Sequence, residues 1–257
     1  MVRGLYTAYT GMANQQKRLD TITNNLANAT TTAYKREGIT SRAFDDMLTY
    51  RAKDLQDAYY TKNIGTMSLG VKIGENYTDY SQGSIQETGN TYDIALEGNG
   101  FFSILFMDKS GVESIKYTRD GEFVADADGF LRTKDGDYVL GEGGLIQIPT
   151  NAAKVAIDEM GRIFADGQYI DTLAVTDFEN YDYLEKYGEN LLNAVDGATE
   201  IDSKAVVRQG YLESSNINVV SEMVEMITIA RAYESNQKLI TTIDSMLDKS
   251  VNRVGKV

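Results

Sequence analysis

Apolar residues recur at alternating spacings of four and three near both ends of the chain. The N-terminal stripe consists of Met1, Leu5, Ala8, Met12, Leu19, Ile22 and Leu26, with Gln15 as its polar interruption. The C-terminal stripe consists of Val219, Met223, Met226, Ala230, Tyr233, Ile240, Leu247, Val251 and Val254, with Gln237 and Asp244 as its interruptions. A seven-residue period held over this length predicts one long helix at each end, with a coiled-coil or bundle seam.

The ends of both predicted helices carry local signals. Asn218 is a suitable N-cap for the C-terminal helix, because its side-chain oxygen can accept a hydrogen bond from the first turn. The N-terminal helix should end within residues 24–32, a run of Asn, Leu, Ala and Thr, since Asn and β-branched Thr are weak helix formers. Gly255 offers a stop for the C-terminal helix.

A helix with a single apolar stripe is marginal in water and needs a partner that covers the stripe. That partner is either the other terminal helix or the helices of neighbouring subunits, and the spacing alone leaves both alternatives open. In the second alternative the chain self-assembles, and Asn amides near the end of the first helix hydrogen-bond across the subunit contact. The candidate assembly positions are Leu5, Met12, Leu19, Ile22, Asn24, Asn25, Leu26, Asn28, Val219, Met223, Met226, Ala230, Tyr233, Ile240 and Leu247.

Between the two stripes, glycine separates short runs rich in Val, Ile, Tyr and Phe, which predicts an antiparallel β domain. The predicted strands cover residues 92–96, 101–106, 114–118, 122–125, 138–140, 145–148, 154–157, 162–165 and 169–175. The dipeptides at residues 120–121, 128–129 and 135–136 are all Asp-Gly, which tolerates the positive φ of a tight hairpin. They are therefore predicted turns.

Two segments are predicted with less regular patterns. Residues 41–60 are ambiguous, and the spacing of Phe44, Met47, Leu48 and Leu55 allows a helix there. A short helix is also predicted over residues 181–187.

The fold class is therefore α+β, in which long N- and C-terminal helices pack as a coiled-coil-like domain and an antiparallel β-rich domain is inserted between them. The predicted division is an N-terminal assembly helix (1–33), a partly extended connecting segment (34–90), the β-rich domain (91–210) and a C-terminal assembly helix (217–257).

The composition excludes most enzyme chemistry. The 257 residues include no His, no Cys and no Trp, and only one Pro. Without His or Cys there is no imidazole general base, no Ser-His-Asp triad, no thiolate nucleophile and no His- or Cys-ligated zinc. The sequence predicts no catalytic, cofactor-binding or metal-binding residues.

The net charge of −13 is unevenly distributed. Residues 1–36 carry five basic groups and one acidic group, whereas residues 218–257 carry five of each, so the middle of the chain holds −17. An acidic middle argues against nucleic-acid binding there, because phosphates require clustered Lys and Arg. No window approaches the roughly 18 apolar residues of a membrane span, and the N-terminus lacks the apolar run of a cleaved signal. We therefore expect no membrane insertion and no cleaved signal peptide.

Two motif candidates are rejected, and two other function classes remain alternatives. The segment from Asp126 to Gly129 starts like a calcium loop, but Phe130 and Leu131 stand where an EF-hand needs an oxygen ligand and Gly. The pair Gly98 and Gly100 lacks the third glycine of a dinucleotide fingerprint. The 38 acidic residues keep open a carboxylate-dependent hydrolase of cell-wall polysaccharide, and the 17 tyrosines keep open a surface adhesin or glycan-binding module.

Four separate blocks resemble the signatures of bacterial flagellar rod and hook proteins. They are residues 24–36 (NNLANATTTAYKR), residues 92–102 (YDIALEGNGFF), residues 117–123 (YTRDGEF) and residues 209–234, which contain QGYLESSN, EMI and RAYE. The chain departs from the family at three positions: Ala33 and Tyr34, where the family often has Gly and Phe, and Ala230, where Gln is frequent. Four blocks in the same order make the resemblance specific.

The resemblance implies a non-enzymatic axial subunit of the flagellar basal body, of the proximal or distal rod type. In that family the terminal helices build the inner wall of a hollow helical tube and the β domain forms its outer layer. It also implies a homo-oligomer that contacts other rod and hook proteins and passes unfolded through the flagellar type III export apparatus, and it places the acidic middle on the outer surface.

Overall fold

The computed structural model describes residues 2–50, 63–108 and 111–254, which fall into two compact units. Residues 1–27, 37–79 and 218–257 form what we call the helical unit. Residues 28–36 and 80–217 form the β-rich unit. The residues predicted to connect helix and β domain, 34–90, are thus distributed over both units.

The helical unit contains two long helices and four strands within its described residues. Its helices are α1 (Val2–Ala27) and α2 (Val219–Lys249), and a π-helical turn (Ser250–Val254) follows α2. Its strands are β1 (Glu37–Ala43), β2 (Met47–Tyr50), β3 (Asn63–Met67) and β4 (Val71–Thr78). Strand β1 pairs antiparallel with β4, and β2 with β3. Both helix-end predictions are confirmed, because α1 ends at Ala27 and the Asn218 side chain accepts from the Ser221 N–H.

The predicted helix within residues 41–60 is wrong for its described part, which forms the end of β1 and all of β2. The strand partners come from residues 63–78, so backbone pairing with a remote segment outweighs a local spacing compatible with a helix. Met47 and Leu48 are exposed there. Leu55 and Gly255 lie outside the described residues.

Helices α1 and α2 pack against each other in opposite chain directions. A Cβ added to Gly4 would lie 3.7 Å from Ile243, and one added to Gly11 would lie 3.2 Å from Asn236. The next contacts along α1 are the Arg18–Glu225 ion pair at 2.9 Å and the Asn25–Glu222 hydrogen bond at 3.5 Å. Positions 4, 11, 18 and 25 of α1 therefore face α2 at intervals of seven residues.

The β-rich unit is built from short antiparallel strands. They are β5 (Ile85–Glu87), β6 (Ile94–Glu97), β7 (Phe101–Met107), β8 (Glu113–Thr118), β9 (Phe123–Ala125), β10 (Leu131–Thr133), β11 (Tyr138–Gly141), β12 (Gly144–Leu145), β13 (Val155–Ile157), β14 (Arg162–Ala165), β15 (Gln168–Thr172), β16 (Val175–Phe178), β17 (Leu184–Tyr187), β18 (Leu191–Ala194), β19 (Glu200–Asp202), β20 (Val206–Gln209) and β21 (Tyr211–Glu213). The main sheet has the order β17-β18-β8-β7-β11-β10-β9, with β12, β16 and β19 paired at its side. Strands β13-β14-β15 form a second sheet, and β20 pairs with β6 and β21 with β5.

Two apolar clusters form the core of this unit. The larger includes Ile94, Phe102, Leu131 and Ile163, whose side chains are essentially inaccessible to water. The smaller is aromatic, and in it Phe101, Tyr117 and Phe178 pack with tilted or edge-to-face rings. Burial of the alternating apolar positions is what holds the short strands in register.

Several strand predictions need correction. The predicted strand 169–175 is two strands, β15 and β16, which belong to different sheets. The predicted helix 181–187 is a 3₁₀ turn (Tyr181–Tyr183) followed by β17, because β17 pairs along its whole length with β18. Gly129 and Gly136 adopt the positive φ expected of hairpin turns, but Gly121 does not. Residues 120–121 instead connect β8 to β9, which are not neighbours in the sheet.

Candidate assembly interface

The predicted assembly positions of α1 differ in burial. Ile22 is buried, whereas Leu5, Met12, Leu19 and Leu26 are half-buried. This second set is offset by one position from the residues that face α2. Four of the seven residues of the predicted stripe therefore remain partly accessible along the side of the helix pair.

The asparagines at the end of α1 have separate environments. Asn25 is fully buried, and its amide nitrogen donates to the Glu37 carbonyl while its oxygen accepts from the Glu37 N–H, at 2.8 and 3.1 Å. It also donates to Glu222, so Asn25 joins α1, β1 and α2 within one chain. Asn24 is exposed, and Asn28 accepts from Thr31 just beyond the helix. These contacts give Asn25 an intrachain role that spacing did not reveal.

The predicted positions of α2 lie mostly along the edge of its contact with α1. Met226, Ala230, Tyr233, Ile240 and Leu247 are half-buried. Val219 and Met223 are exposed. The fully buried positions of α2 are instead Glu222 and Ile229, of which only Ile229 is apolar.

A second group of apolar residues on α2 points away from α1. Val220, Val224 and Ile227 are 72, 60 and 51 % exposed, and their spacings of four and three place them on one face. We call these three residues the outer patch. Sequence reasoning missed the outer patch because the next position in the series is Arg231, so the pattern does not persist beyond two turns.

The contact between α1 and α2 includes small and polar residues. Gly4 and Gly11 bring the helices close together, and Arg18 pairs with Glu225. The Gln15 Oε1 atom is buried and has no hydrogen-bond partner within the described part of the chain. The half-buried stripe positions of both helices remain partly accessible to water beside this contact.

A buried charge cluster lies inside the β-rich unit. The Glu213 side chain is 1 % exposed and accepts from Lys35 Nζ at 2.6 Å, from the Gly83 N–H at 2.8 Å and from Arg119 at 3.4 Å. Arg119 also donates to the Gly98 carbonyl, and burial lowers the pKa of its guanidinium despite the nearby Glu213 carboxylate. The three charged residues come from three of the four signature blocks.

Residues 32–36, which we call the strap, lie against residues 213–216, which we call the exit segment. The Ala33 N–H donates to the Glu213 carbonyl at 2.8 Å, Ser215 Oγ donates to the Tyr34 carbonyl at 3.0 Å, and the Arg36 N–H donates to Asn216 Oδ1 at 2.8 Å. Ala33 has φ of 56°, a conformation that glycine adopts more readily. The strap is thus fixed by backbone bonds as well as by the Lys35–Glu213 ion pair.

The strap is also connected to Asp120. The Asn190 amide donates to the Thr32 carbonyl and to Asp120 Oδ2, both at 3.2 Å. Burial raises the pKa of the Asp120 carboxyl to about 6, against hydrogen bonds from the Glu122 N–H and Asn190 that favour the charged form. Asp120 is therefore ionised at neutral pH, and its buried charge lowers the stability of the folded state.

This raised pKa predicts a pH dependence of unfolding. The folded state binds the Asp120 proton more tightly than the unfolded state, so the stability due to this group is greatest below about pH 4 and falls as the pH rises to about 6. The shift of roughly two units corresponds to about 3 kcal/mol. We expect Asp120→Asn to stabilise the β-rich unit by about 2 kcal/mol at pH 7.5. In this variant the urea concentration at the unfolding midpoint should change less between pH 7.5 and pH 5 than it does in the unchanged chain. Asp128→Asn, at an exposed turn, is the control, and equal pH profiles for Asp120→Asn and the unchanged chain would contradict the prediction.

Two partly buried tyrosines also have raised pKa values, and each donates a hydrogen bond to a carboxylate. Burial raises the pKa of Tyr181 to about 12, and its hydroxyl donates to Asp177 at 2.7 Å. Burial and the hydrogen bond to Glu200 also raise the pKa of Tyr117. Within residues 2–50, 63–108 and 111–254, no group of three acidic side chains is placed to hold a metal ion. In the same ranges, neither helix contains a stretch long and apolar enough to span a bilayer.

Comparison with known protein families gives three matches along the chain. The family described as flagella basal body rod protein matches residues 5–35, and the flagellar hook protein FlgE/F/G D1 domain matches residues 95–165. The flagellar basal body rod FlgEFG protein C-terminal family matches residues 208–253. These segments contain α1 with the strap, the β6 to β14 region, and β21 with α2.

Individual relatives align over nearly the whole chain. The flagellar basal-body rod protein FlgG of Bacillus subtilis is 36 % identical, with 98 % of this chain and 99 % of the relative covered. FlgG of Agrobacterium fabrum is 37 % identical over 95 % of this chain and 97 % of its own length. The rod protein FlgF of Caulobacter vibrioides is 32 % identical over the full length of both chains.

Proposed function

We propose that this chain, which belongs to the flagellar basal-body rod protein family, builds the rod through its two terminal helices. It is a structural subunit of the flagellum and not an enzyme. The rod is a hollow helical tube in which α1 and α2 of each copy pack, coiled-coil-like, against the helices of neighbouring copies. The hydrolase and adhesin alternatives have no support among the relatives.

The observation that carries this proposal is the apolar surface left uncovered on the helices. The intrachain contact includes Gly4, Gly11 and the Arg18–Glu225 ion pair, whereas the outer patch is exposed. Burying each valine of the outer patch in a neighbour would contribute about 2 kcal/mol. Half-buried Leu5, Met12, Leu19 and Leu26 provide a complementary apolar strip on α1.

The partners follow from the same surfaces and from the family. We propose contacts with further copies of this chain and with other rod and hook proteins, and delivery by the flagellar type III export apparatus. The β-rich unit carries the whole −13 net charge, since the helical unit is neutral overall, so the β-rich unit belongs on the solvated outside of the tube.

The test is a pair of charges on the outer patch. Val220→Asp with Val224→Asp should leave the purified chain as stable as before, because both positions are exposed in the single chain. In a flagellated strain that carries the variant as its only copy, we expect loss of rods in electron micrographs and loss of swimming, since the carboxylates cannot be buried between subunits.

A matched control is available on the other unit. Met160 is 72 % exposed, as Val220 is, but lies in the β-rich unit, and Met160→Asp should leave rods and swimming intact. Normal rods in the Val220→Asp, Val224→Asp strain would show that the outer patch is not an assembly surface.

A further inference from the structure

Asn99 and Gly100 lie in the connection between β6 and β7, and they are the only Asn-Gly pair in the sequence. The Asn99 side chain is exposed, and its amide makes no hydrogen bond to any residue that the structure describes. In an Asn-Gly pair the glycine nitrogen can approach the asparagine Cγ closely, because glycine carries no Cβ. This connection therefore holds the two groups that react when an asparagine side chain loses its amide.

A serine from a distant part of the chain contacts the peptide group between these two residues. Ser203 Oγ donates to the Asn99 carbonyl oxygen at 2.6 Å and accepts from the Ala205 N–H at 3.0 Å. The bond from Ala205 directs the hydroxyl hydrogen towards the Asn99 oxygen and polarises the O–H group. A Cβ added to Gly100 would clash with the Ser203 side chain, so the hydroxyl lies directly against the peptide group.

The Gly100 nitrogen is available for reaction. Gly100 has φ of 136°, and its N–H has no hydrogen-bond acceptor among the described residues. By contrast, the Gly129 N–H, in one of the Asp-Gly turns, donates to the Asp126 carbonyl at 2.9 Å. An acceptor stabilises the protonated form of a group, so the Gly100 nitrogen loses its proton more readily than the Gly129 nitrogen does.

We propose that Asn99 is a site of self-catalysed deamidation, in which the Ser203 hydroxyl stabilises the reacting peptide anion. Hydroxide removes the Gly100 N–H proton, and the negative charge spreads to the Asn99 carbonyl oxygen, which accepts the bond from Ser203. A hydrogen-bond donor aimed at the atom that gains charge lowers the barrier of such a step.

The rest of the reaction requires only water. The Gly100 nitrogen attacks Asn99 Cγ, so that a new N–C bond forms and the Cγ–Nδ2 bond breaks. Ammonia leaves with a proton taken from water, which restores the hydroxide. A second water molecule opens the resulting succinimide ring to aspartate or isoaspartate. The net change is the replacement of the side-chain NH₂ by OH.

Deamidation would change both the charge and the backbone of the β-rich unit. The new carboxylate lies two residues from Glu97, which is paired with Arg208 at 3.0 Å. Isoaspartate also lengthens the main chain by one carbon just before Phe101 and Phe102, which are buried in the two apolar clusters. The modified unit should therefore be less stable. This inference concerns the single chain and does not rest on assembly into a rod.

The test is mass spectrometry of the purified full chain during several weeks at pH 7.5. We expect peptides that contain residues 99–100 to gain the mass of an NH₂-to-OH exchange. Ser203→Ala should slow this reaction about tenfold in the folded chain, because a hydrogen bond to a charged acceptor is stronger than one to a neutral acceptor by about that factor. In concentrated urea, where folding no longer brings Ser203 to Asn99, both chains should react equally fast. An equal or faster folded-state rate in Ser203→Ala, or a difference that persists in urea, would overturn the proposal.

Ser203→Thr separates the hydroxyl from packing at this position. This variant keeps the hydroxyl, so it should react at close to the unchanged rate. A rate as low as that of Ser203→Ala would show that packing against Gly100, and not the hydroxyl, controls the reaction, and would refute the role of Ser203.

Asp196→Asn gives a matched reference within the same chain. It places a second Asn-Gly pair in an exposed turn, where Gly197 also has a positive φ, of 106°. Among the described residues, no hydroxyl donates to the carbonyl of residue 196. Asn99 should deamidate faster than this new pair, and Ser203→Ala should leave the rate at position 196 unaltered. Reaction at position 196 without reaction at Asn99, or an equal slowing at both positions in Ser203→Ala, would contradict the proposal.

Discussion

Glu213→Ala is expected to destabilise the β-rich unit by about 3–5 kcal/mol, because it leaves Lys35 and Arg119 buried without their counter-charge. The Gly83 N–H loses its acceptor as well. Urea unfolding followed by near-ultraviolet circular dichroism of the tyrosines measures this loss. Much of the β-rich unit's stability would disappear, since domains are typically stable by only about 5–15 kcal/mol.

Glu97→Ala is the control for this prediction. Glu97 also pairs with an arginine, Arg208, at 3.0 Å, but the glutamate side chain is 53 % exposed. An exposed pair contributes under about 1 kcal/mol, because water replaces the lost partner. If both variants unfolded at the same urea concentration, the buried cluster would not be the stabilising feature described here.

Gly121→Ala is expected to cost about 3 kcal/mol, the second-largest effect of a single substitution. A Cβ at this position would lie 1.6 Å from the Ile94 carbonyl oxygen, so the backbones of the β8–β9 connection and of β6 would have to separate. That separation would break the hydrogen bond from the Ile94 N–H to the Gly121 carbonyl, now 3.0 Å. Thermal unfolding of the purified variant measures the cost.

Gly136→Ala is the control that separates the cost of crowding from the cost of an unfavourable backbone conformation. Gly136 has φ of 98° and no atom within 4 Å of an added Cβ, so only conformational strain of about 1 kcal/mol is expected. A smaller loss in Gly121→Ala than in Gly136→Ala would show that the β8–β9 connection can move aside.

Much of the architecture could be predicted from local patterns. The seven-residue period placed both helices, Asn218 was recognised as the N-cap, and the alternating segments around Phe101 and Ser114 became paired strands. The strands after residue 183 were missed, because residues 184–213 are rich in acidic and small residues whose strand state depends on pairing with β8, β16 and β6. The Asp-Gly pair at residues 120–121 predicts a turn because Asp-Gly is a turn signal, although Gly121 is needed for close packing.

The sequence predicts which positions of the terminal helices are apolar and need a partner, but not which face of each helix contacts the other helix. An apolar period identifies residues that need a partner, so it selects Leu5, Met12 and Leu19, which are half-buried in the single chain. Pattern analysis treats glycine, arginine and asparagine as interruptions, and it therefore missed the face of α1 that contacts α2. Close approach at Gly4 and Gly11 requires small side chains rather than apolar ones.

By itself, the sequence determined that this protein has two amphipathic terminal helices around a β-rich insertion and lacks the imidazole and thiol groups of histidine- and cysteine-dependent catalysis. Those properties depend on local spacing and on residue type, which the chain carries wherever it is placed. The tertiary structure decided which helix face is used within the chain and which remains exposed. It also turned Lys35, Arg119 and Glu213 from apparent surface charges into a buried cluster, because only folding brings residues so far apart in sequence into contact where water is excluded.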